Sequence, residues 1–297
     1  MKLLFCLILF QLIVLIKSER EYFTFREDVR RCERPRCGGY FLKKLNSRAD
    51  HEIYVSSFIM VNANLNPMEI EDHDQNIISG YVMPSDEDDG YNTFFLKGIH
   101  ERMVIPDVIN SYKKVLSNKK FKNSDSFYFL SSSQIECIQS DGCPIYKSIK
   151  INFNESTNFE SYTEPYTSNV PLLDLNWFNS RLIKKDIHSP YIGSIVSGTI
   201  NDNQLSITEI FINTEDPVFP CKRNTFTCTT PQVPTFSRSV DRCPIFEKCV
   251  TRSVCHLGIP TCPKGYKSYS YPSLPKGCLK YYCDPEALPN PHKVSGP

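Results

Sequence analysis

A cysteine framework that occurs twice constrains this chain more than any other sequence feature. The positions shared by the two copies are, in order, Cys32, Cys37, Tyr40 and Asn46 in the first copy and Cys137, Cys143, Tyr146 and Asn152 in the second. In both copies an aromatic run, at residues 22–25 or 127–130, ends seven residues before the first cysteine. Further on, residues 77–80 match residues 195–198 in the same order. Self-similarity at one long period predicts two copies of one supersecondary unit, each helping to cover an apolar face of the other.

The N-terminus has the pattern of a secretory signal peptide. Lys2 precedes an apolar stretch over residues 3–16, and Lys17-Ser18 follows it, so we expect cleavage after residues 1–18. The apolar stretch is shorter than the roughly twenty residues of a membrane span, and Gln11 interrupts it. An uncleaved anchor is the alternative. Because no later stretch of the sequence is long and apolar enough to span a bilayer, we expect a secreted, extracellular protein with no membrane span after signal cleavage.

The cysteine content agrees with export. The chain has 13 cysteines, and removal of Cys6 with the signal peptide leaves an even number in a compartment where thiols oxidise. The disulfide candidates are Cys32, Cys37, Cys137, Cys143, Cys221, Cys228, Cys243, Cys249, Cys255, Cys262, Cys278 and Cys283. Pairing within each copy is the simplest arrangement of the first four, with pairing between the copies as the alternative. The connectivity of the last eight stays open.

Patterns of apolar residues predict the local structure. Aromatic and β-branched runs predict strands at residues 22–25, 40–45, 53–61, 77–83, 93–99, 126–130, 145–151, 191–200 and 205–212. Residues 106–116 begin with proline and carry apolar residues on one helical face, which predicts a helix. The acidic stretch at residues 84–90 predicts a hairpin loop. The polar residues 152–171 predict a long surface loop that carries the only glycosylation sequon, at Asn154.

These observations predict a mainly β protein. We expect a tandem-repeat β-sheet domain of two similar halves with one intervening helix, followed by a small disulfide-rich C-terminal module. The expected segments are a signal peptide at 1–18, β repeat one at 19–104, a helical connection at 105–124, β repeat two at 125–216 and a Cys-rich basic module at 217–297. The segment 217–297 has few apolar runs, so we expect it to need disulfides in order to fold. It has 11 Lys and Arg against 4 Asp and Glu, so its charge is basic, whereas residues 19–220 are acidic.

No motif for catalysis, a cofactor or a metal occurs in the sequence. Zinc binding is disfavoured because the cysteine pairs lack the two-residue spacing and the nearby histidine of zinc sites. The acidic residues 71–74 and 86–89 do not fit a calcium loop, which favours solvated loops. The six histidines are scattered, and nucleophile elbows and phosphate loops are absent. We therefore expect no cofactor and no enzymatic activity.

The C-terminal module interleaves tyrosines with lysines. The candidate glycan-binding residues are Tyr266, Lys267, Tyr269, Tyr271, Lys280, Tyr281 and Tyr282. Aromatic faces beside cations suit stacking on sugar rings and attraction to acidic glycans. The alternative is that these tyrosines fill the small core of the module while the lysines keep it soluble.

The pattern Cys-x-x-Pro-x-Cys-Gly-Gly-Tyr-Phe that begins at Cys32 resembles a family of secreted bacterial and lower-eukaryotic proteins with a domain of unknown function. The resemblance extends from Tyr22 to about Asn213, and the second copy departs from it because Pro144-Ile145 replaces the glycine pair. It implies export and architecture, and no activity.

The sequence therefore favours a non-enzymatic extracellular binding or matrix protein whose partner is a glycan or an acidic polymer, and not a nucleic acid. A secreted hydrolase inhibitor, with the loop at residues 258–262 as its inhibitory segment, is one alternative. A secreted hydrolase that brings histidines and carboxylates together from distant parts of the repeats is the other.

Overall fold

The structure, a computed structural model, describes residues 20–47, 51–61, 65, 76–84, 91–106, 125–137, 142–184, 193–215, 221–222, 226–255 and 258–291. The mainly β architecture predicted from the sequence is confirmed, with antiparallel sheets and six disulfides. The predicted signal peptide, the predicted helix beyond Pro106 and the acidic stretches at 71–74 and 85–90 lie outside the described residues. The chain forms two compact units. The first contains residues up to Ile99 together with Ile151–Phe153, and the second contains His100–Lys150 and the residues from Asn154 onward.

The strands of the first unit form a sheet whose two edges are joined by one stretch of chain. They are β1 (Glu21–Glu27), β2 (Tyr40–Lys44), β3 (Ile53–Val55), β4 (Ser57–Met60), β5 (Asn76–Pro84) and β6 (Asn92–Arg102), whose last three residues belong to the second unit. The order β3-β2-β1-β5-β6 is antiparallel where the pairing is resolved, and β4 pairs in parallel with β6. Only Ser56 separates β3 from β4. The chain from β3 to β4 therefore closes the sheet on itself.

Alternation of apolar and polar residues explains the core of the first unit. Phe23 and Phe25 of β1 are buried, whereas Thr24 between them is partly exposed and Arg26 is exposed. The same two-residue period places Leu42 of β2 in the core. The buried residues that pack together are Phe23, Phe25, Leu42, Val55, Leu65, Ile78, Phe94, Leu96 and Ile99.

The second unit repeats this strand arrangement. Its first strands are β7 (Ser126–Ser132), β8 (Tyr146–Lys150), β9 (Ser156–Phe159) and β10 (Ser161–Thr163), and β12 (Ile195–Asn201) and β13 (Gln204–Asn213) follow later in the chain. The order β9-β8-β7-β12-β13 and the parallel pairing of β10 with β13 match those of the first unit. Glu160 alone separates β9 from β10, as Ser56 separates β3 from β4. The structure thus contains the two similar halves that the repeated cysteine framework predicted.

The asparagine shared by the two copies has a structural role. Asn46 and Asn152 have φ angles of 61° and 64°, a left-handed conformation that asparagine adopts more readily than most residues. Within the first unit, Asn46 Nδ2 donates to the carbonyl oxygen of Ile151 (2.9 Å), and Asn152 Nδ2 donates to that of Leu45 (3.2 Å). Asn152 also exchanges two hydrogen bonds with the backbone of Tyr22. The equivalent positions of the two asparagines in the two copies therefore go with reciprocal turn contacts.

The expectation of a long surface loop over residues 152–171 is wrong. This stretch contains β9, β10 and a short helix, α1 (Tyr166–Asn169). The side chains of Phe159 and Tyr166 in it are fully buried. The elements were missed because the strands are three and four residues long, too short for a clear alternation of apolar residues, and because their partners β8 and β13 are set by tertiary pairing.

Two further elements of the second unit were not predicted. Helix α2 (Leu175–Leu182) is preceded by the N-cap residue Asp174, whose Oδ1 accepts hydrogen bonds from the backbone of Asn176 and Trp177. Its buried side chains include Trp177 and Phe178. Strand β11 (Ile183–Lys184) follows the helix directly and pairs in parallel with β7.

The C-terminal segment consists of two β-hairpins with the same disulfide pattern. The first hairpin contains β14 (Gln232–Arg238) and β15 (Pro244–Thr251), and the second contains β16 (Tyr266–Ser273) and β17 (Cys278–Pro285). The disulfides are Cys221–Cys243 and Cys228–Cys249 in the first and Cys255–Cys278 and Cys262–Cys283 in the second. The sequence separations of 22 and 21 residues in the first hairpin recur as 23 and 21 in the second. The segment is therefore a second internal duplication.

In the repeats, each copy closes its own loop. Cys32 is bonded to Cys37, and Cys137 is bonded to Cys143. This is the simpler of the two pairings considered from the sequence. Six disulfides are typical of proteins from oxidising, extracellular compartments. Within the described residues, no helix combines the length and the apolar character needed to cross a membrane.

Candidate functional site

The tyrosines and lysines singled out in the C-terminal module lie on the hairpin of β16 and β17. Cross-strand pairs join Tyr269 with Tyr282 and Tyr271 with Lys280. Because paired residues of an antiparallel sheet share a face and alternate residues point the same way, Lys267 lies on this face as well. We call the face that carries Lys267, Tyr269, Tyr271, Lys280 and Tyr282 the hairpin face.

The other two tyrosines lie on the opposite face of the hairpin. Tyr266 is 6% exposed, and its hydroxyl donates to the carbonyl oxygen of Val104 at 2.6 Å. Tyr281 pairs with Ser270 and is partly exposed. Sequence reasoning grouped Tyr281 with the other tyrosines, although the two-residue period of a strand separates it from them.

Only part of the hairpin face is accessible. The ring of Tyr282 is buried, with the Arg238 guanidinium carbon 4.6 Å and the Lys280 Nζ 5.3 Å from its centroid. Tyr269 and Tyr271 are partly exposed, and burial raises the pKa of both phenols. The lysines are exposed, and Lys267 Nζ reaches the carbonyl oxygen of Glu286 at 3.1 Å. The accessible part therefore consists of two half-covered tyrosines flanked by two cations.

A buried ion cluster anchors the two C-terminal hairpins within the second unit. Arg238 of β14 donates to Asp284 of β17 and to Asp174 at the start of α2, at 2.9 and 3.2 Å respectively. Arg242 donates to Asp284 as well, at 3.4 Å. All four side chains are at most 6% exposed, and their formal charges balance. The cluster holds the hairpin face in a fixed position relative to α2.

The other candidate sites are only partly described. Of the six histidines, the structure describes His51, which is exposed, and His100, which is buried. Among the described residues, no three His, Cys, Asp or Glu side chains are grouped as a metal site would require. The twelve cysteines outside the predicted signal peptide form the six disulfides.

Two further sequence predictions fall on exposed segments. In the segment proposed as an inhibitory loop, the Ile259 side chain is 74% exposed, and the segment ends at Cys262, which is bonded to Cys283. The sequon residue Asn154 is exposed in the turn between β8 and β9, and Ser156 of the sequon is also exposed. Both segments are therefore accessible to a macromolecule.

Comparisons with known proteins find similar chains and do not extend to an activity. The chain is 29% identical over 282 residues to an uncharacterised protein of Dictyostelium discoideum, which covers 94% of this chain and 91% of that protein. No solved structure matches the chain. Residues 21–164, which hold both cysteine loops of the repeats, match the family described as "Domain of unknown function (DUF6748)".

Proposed function

We propose that this is a non-enzymatic extracellular protein that binds an acidic glycan through the hairpin face. The observation that carries the proposal is the side-by-side placement of Lys267, Tyr269, Tyr271 and Lys280 on one face of a disulfide-bonded hairpin. Aromatic rings can stack on the apolar faces of sugars, and the flanking ammonium groups attract carboxylate or sulfate groups.

The rigidity of the hairpin supports the proposal. Two disulfides and the buried ion cluster hold β16 and β17, so little conformational entropy is lost when a ligand binds. The charge of the segment supports it as well, because the excess of Lys and Arg over Asp and Glu from Cys221 onward favours acidic partners. Absence of a recognised catalytic motif from the sequence favours binding over catalysis.

The partner is expected outside the cell. We propose secretion after cleavage of residues 1–18 and glycosylation of Asn154, since the sequon is exposed. The full chain should therefore be produced by a eukaryotic secretory host and purified from the medium, which also lets its disulfides form.

The test is binding of this secreted protein to an array of neutral, carboxylated and sulfated glycans. We expect binding to acidic glycans that weakens at least about tenfold, or about 1.4 kcal/mol, in Lys267→Gln/Lys280→Gln and in Tyr269→Ala/Tyr271→Ala. The matched control is Tyr281→Ala, which removes a tyrosine from the opposite face of the same hairpin and should bind like the wild type. Equal loss in the control, or wild-type binding by both double variants, would remove the hairpin face from consideration.

A further inference from the structure

The disulfide-closed loop of the first unit is rich in arginine. Between Arg26 and Arg36 the chain has five arginines, and the acidic residues of this stretch are Glu27, Asp28 and Glu33. All five arginines are exposed. They fall into two classes that only the structure separates.

Two of the arginines are neutralised and form a platform. Arg26 makes a bidentate ion pair with Glu52. Arg30 makes a bidentate ion pair with Asp28, in which both nitrogen–oxygen distances are 2.8 Å. The guanidinium carbons lie 4.2 Å and 5.2 Å, respectively, from the ring centroid of Phe41. These arginines cover the aromatic surface and are themselves held in place by it.

The other three arginines form no ion pair with a described residue. They are Arg31, Arg34 and Arg36, which lie in or directly beside the loop closed by the Cys32–Cys37 disulfide. The Cα atoms of the two cysteines are 5.6 Å apart, so the chain between them is folded back into a short closed loop. We call Arg31, Arg34 and Arg36 the arginine triad.

The loop that carries the triad is firmly attached to the first unit. The Tyr54 hydroxyl donates to the carbonyl oxygen of Pro35 at 2.8 Å, and Arg30 donates to that of Arg36 at 3.3 Å. At Gly39, a Cβ would lie only 2.1 Å from the carbonyl oxygen of Val55, so the loop packs closely on β3. A ligand would therefore meet three cations carried on one firmly held stretch of chain.

The second copy shows that the fold does not require these arginines. Its equivalent loop, between Cys137 and Cys143, has the sequence Ile-Gln-Ser-Asp-Gly and contains no arginine. Both copies nevertheless form a disulfide loop between equivalent strands, β1 and β2 or β7 and β8. Because the same framework forms without the positive charge, the triad calls for an explanation other than folding.

We propose that the arginine triad is a binding site for a sulfated polysaccharide, separate from the hairpin face. The planar guanidinium group offers paired donors that match the oxygens of a sulfate ester. Three cations on one small loop suit several anionic groups on a single polymer. Single-stranded nucleic acid fits less well, because its binding sites stack bases on open aromatic faces, whereas Arg26 and Arg30 cover Phe41.

The experiment compares the retention of full-length secreted variants on immobilised heparin. The loop variant is Arg31→Gln/Arg34→Gln/Arg36→Gln, and the matched control is Lys248→Gln/Arg252→Gln/Lys264→Gln, which removes the same charge from exposed positions of the C-terminal segment. We expect the loop variant to elute at lower salt and to bind at least about tenfold more weakly than the control. We expect Arg31→Lys/Arg34→Lys/Arg36→Lys to fall between wild type and the loop variant, since lysine keeps the charge and loses the paired donors.

Competing polymers identify the anion. Heparin should displace the protein at lower concentration than chemically desulfated heparin or polyphosphate. If polyphosphate competes best, or if desulfation has no effect, the assignment to sulfated polysaccharide is wrong.

Equal elution of the loop variant and the control variant would show that net charge alone governs retention and would overturn the site. To separate the two proposals, Tyr269→Ala/Tyr271→Ala is introduced into both the loop variant and the control variant. The difference in heparin retention between those two should persist, because the hairpin face is then absent from both.

Discussion

At the scale of single residues, burial decides what the charged side chains of the second unit contribute. Asp284 is 1% exposed and accepts hydrogen bonds from both Arg238 and Arg242. A charge removed from water in this way is stabilised only while its partners are present. The contrast is the pair between Lys150 and Glu155, in which the Glu155 side chain is 64% exposed, because solvent screens such a pair and leaves it nearly neutral in energy.

Substitution of Asp284 by asparagine should destabilise the second unit strongly. The change leaves Arg238 with Asp174 as its remaining carboxylate partner in the cluster and removes the charged partner that Arg242 has in Asp284. Loss of one partner of a buried pair costs about 3–5 kcal/mol. Unfolding in guanidinium, followed by circular dichroism, measures the effect. The control is Glu155→Gln, which should change the free energy of unfolding by less than about 0.5 kcal/mol. A similarly small effect of Asp284→Asn would mean that the buried cluster contributes no more to the free energy of unfolding than a surface ion pair does.

At the scale of elements, two equivalent glycines allow the closed sheets to form. Gly80 of β5 and Gly198 of β12 occupy the same position in the two copies. A Cβ at Gly80 would lie 2.1 Å from the carbonyl oxygen of Phe95, and one at Gly198 would lie 2.3 Å from that of Ser206. A bulge in the pairing of β12 with β13 occurs at Gly198. The adjacent strand therefore approaches so closely that only glycine fits.

Substitution of Gly198 by alanine should force the backbone of β12 away from β13. Overpacking of this kind costs about 1–3 kcal/mol or more, because the contacting atom is a backbone oxygen that cannot rotate away. Thermal unfolding of the oxidised protein measures the loss. Gly258→Ala is the control, since nothing lies within 4 Å of a Cβ at that position and its melting temperature should stay at the wild-type value. Wild-type stability of Gly198→Ala would show that β12 can move without cost.

At the scale of the whole molecule, buried tyrosines set the dependence of stability on alkaline pH. Burial is the first cause of a raised pKa at tyrosines of both units. The most completely buried is Tyr166, whose hydroxyl accepts a hydrogen bond from the backbone of Ile210 and contacts the carbonyl oxygen of Met103. A tyrosine with a raised pKa in the folded protein contributes stability below the unfolded-state pKa, near pH 10. This contribution is lost as pH rises further, because the unfolded chain then releases the proton first.

Replacement of Tyr166 by phenylalanine should therefore flatten the decline of stability above pH 10. One such tyrosine accounts for a loss of about 1.4 kcal/mol at one pH unit above its unfolded-state pKa. The variant should be less stable than the wild type at pH 8, because it lacks a buried hydrogen bond, and should lose less on transfer to pH 11. Guanidinium midpoints at the two pH values give both quantities. Phe178→Leu lowers stability without removing an ionisable group and should keep the wild-type slope. An unchanged slope in Tyr166→Phe would contradict the role assigned to this phenol.

The positions of most strands in the repeats follow from the sequence. Each strand from β5 to β8 overlaps a run predicted from its aromatic and β-branched residues. A half-buried strand can be recognised in this way because its own residues are apolar and β-prone on the side that faces the core. The repeat was visible for a related reason. Both copies need the same residue types at the same places, namely cysteines to close the loop, asparagines at left-handed turn positions and glycines where strands approach closely.

The duplication in the C-terminal segment could also have been predicted from the sequence. Cys228 lies seven positions after Cys221, and Cys262 lies seven positions after Cys255. This spacing is a signal that could have predicted two hairpins. The partner of each cysteine could not be read from it, since the pairing depends on which strands meet in the folded chain.

Tertiary structure alone decided how these elements combine into surfaces. The sequence shows five arginines between Arg26 and Arg36, but only the fold shows that Arg26 and Arg30 are paired on Phe41 while the triad is left exposed. In the same way, the run of tyrosines is local, whereas the burial of Tyr266 against Val104 is not. The physical reason is one of range. Alternation along a strand is fixed by neighbouring residues, but strand partners, ion pairs and solvent exposure depend on residues far apart in the chain.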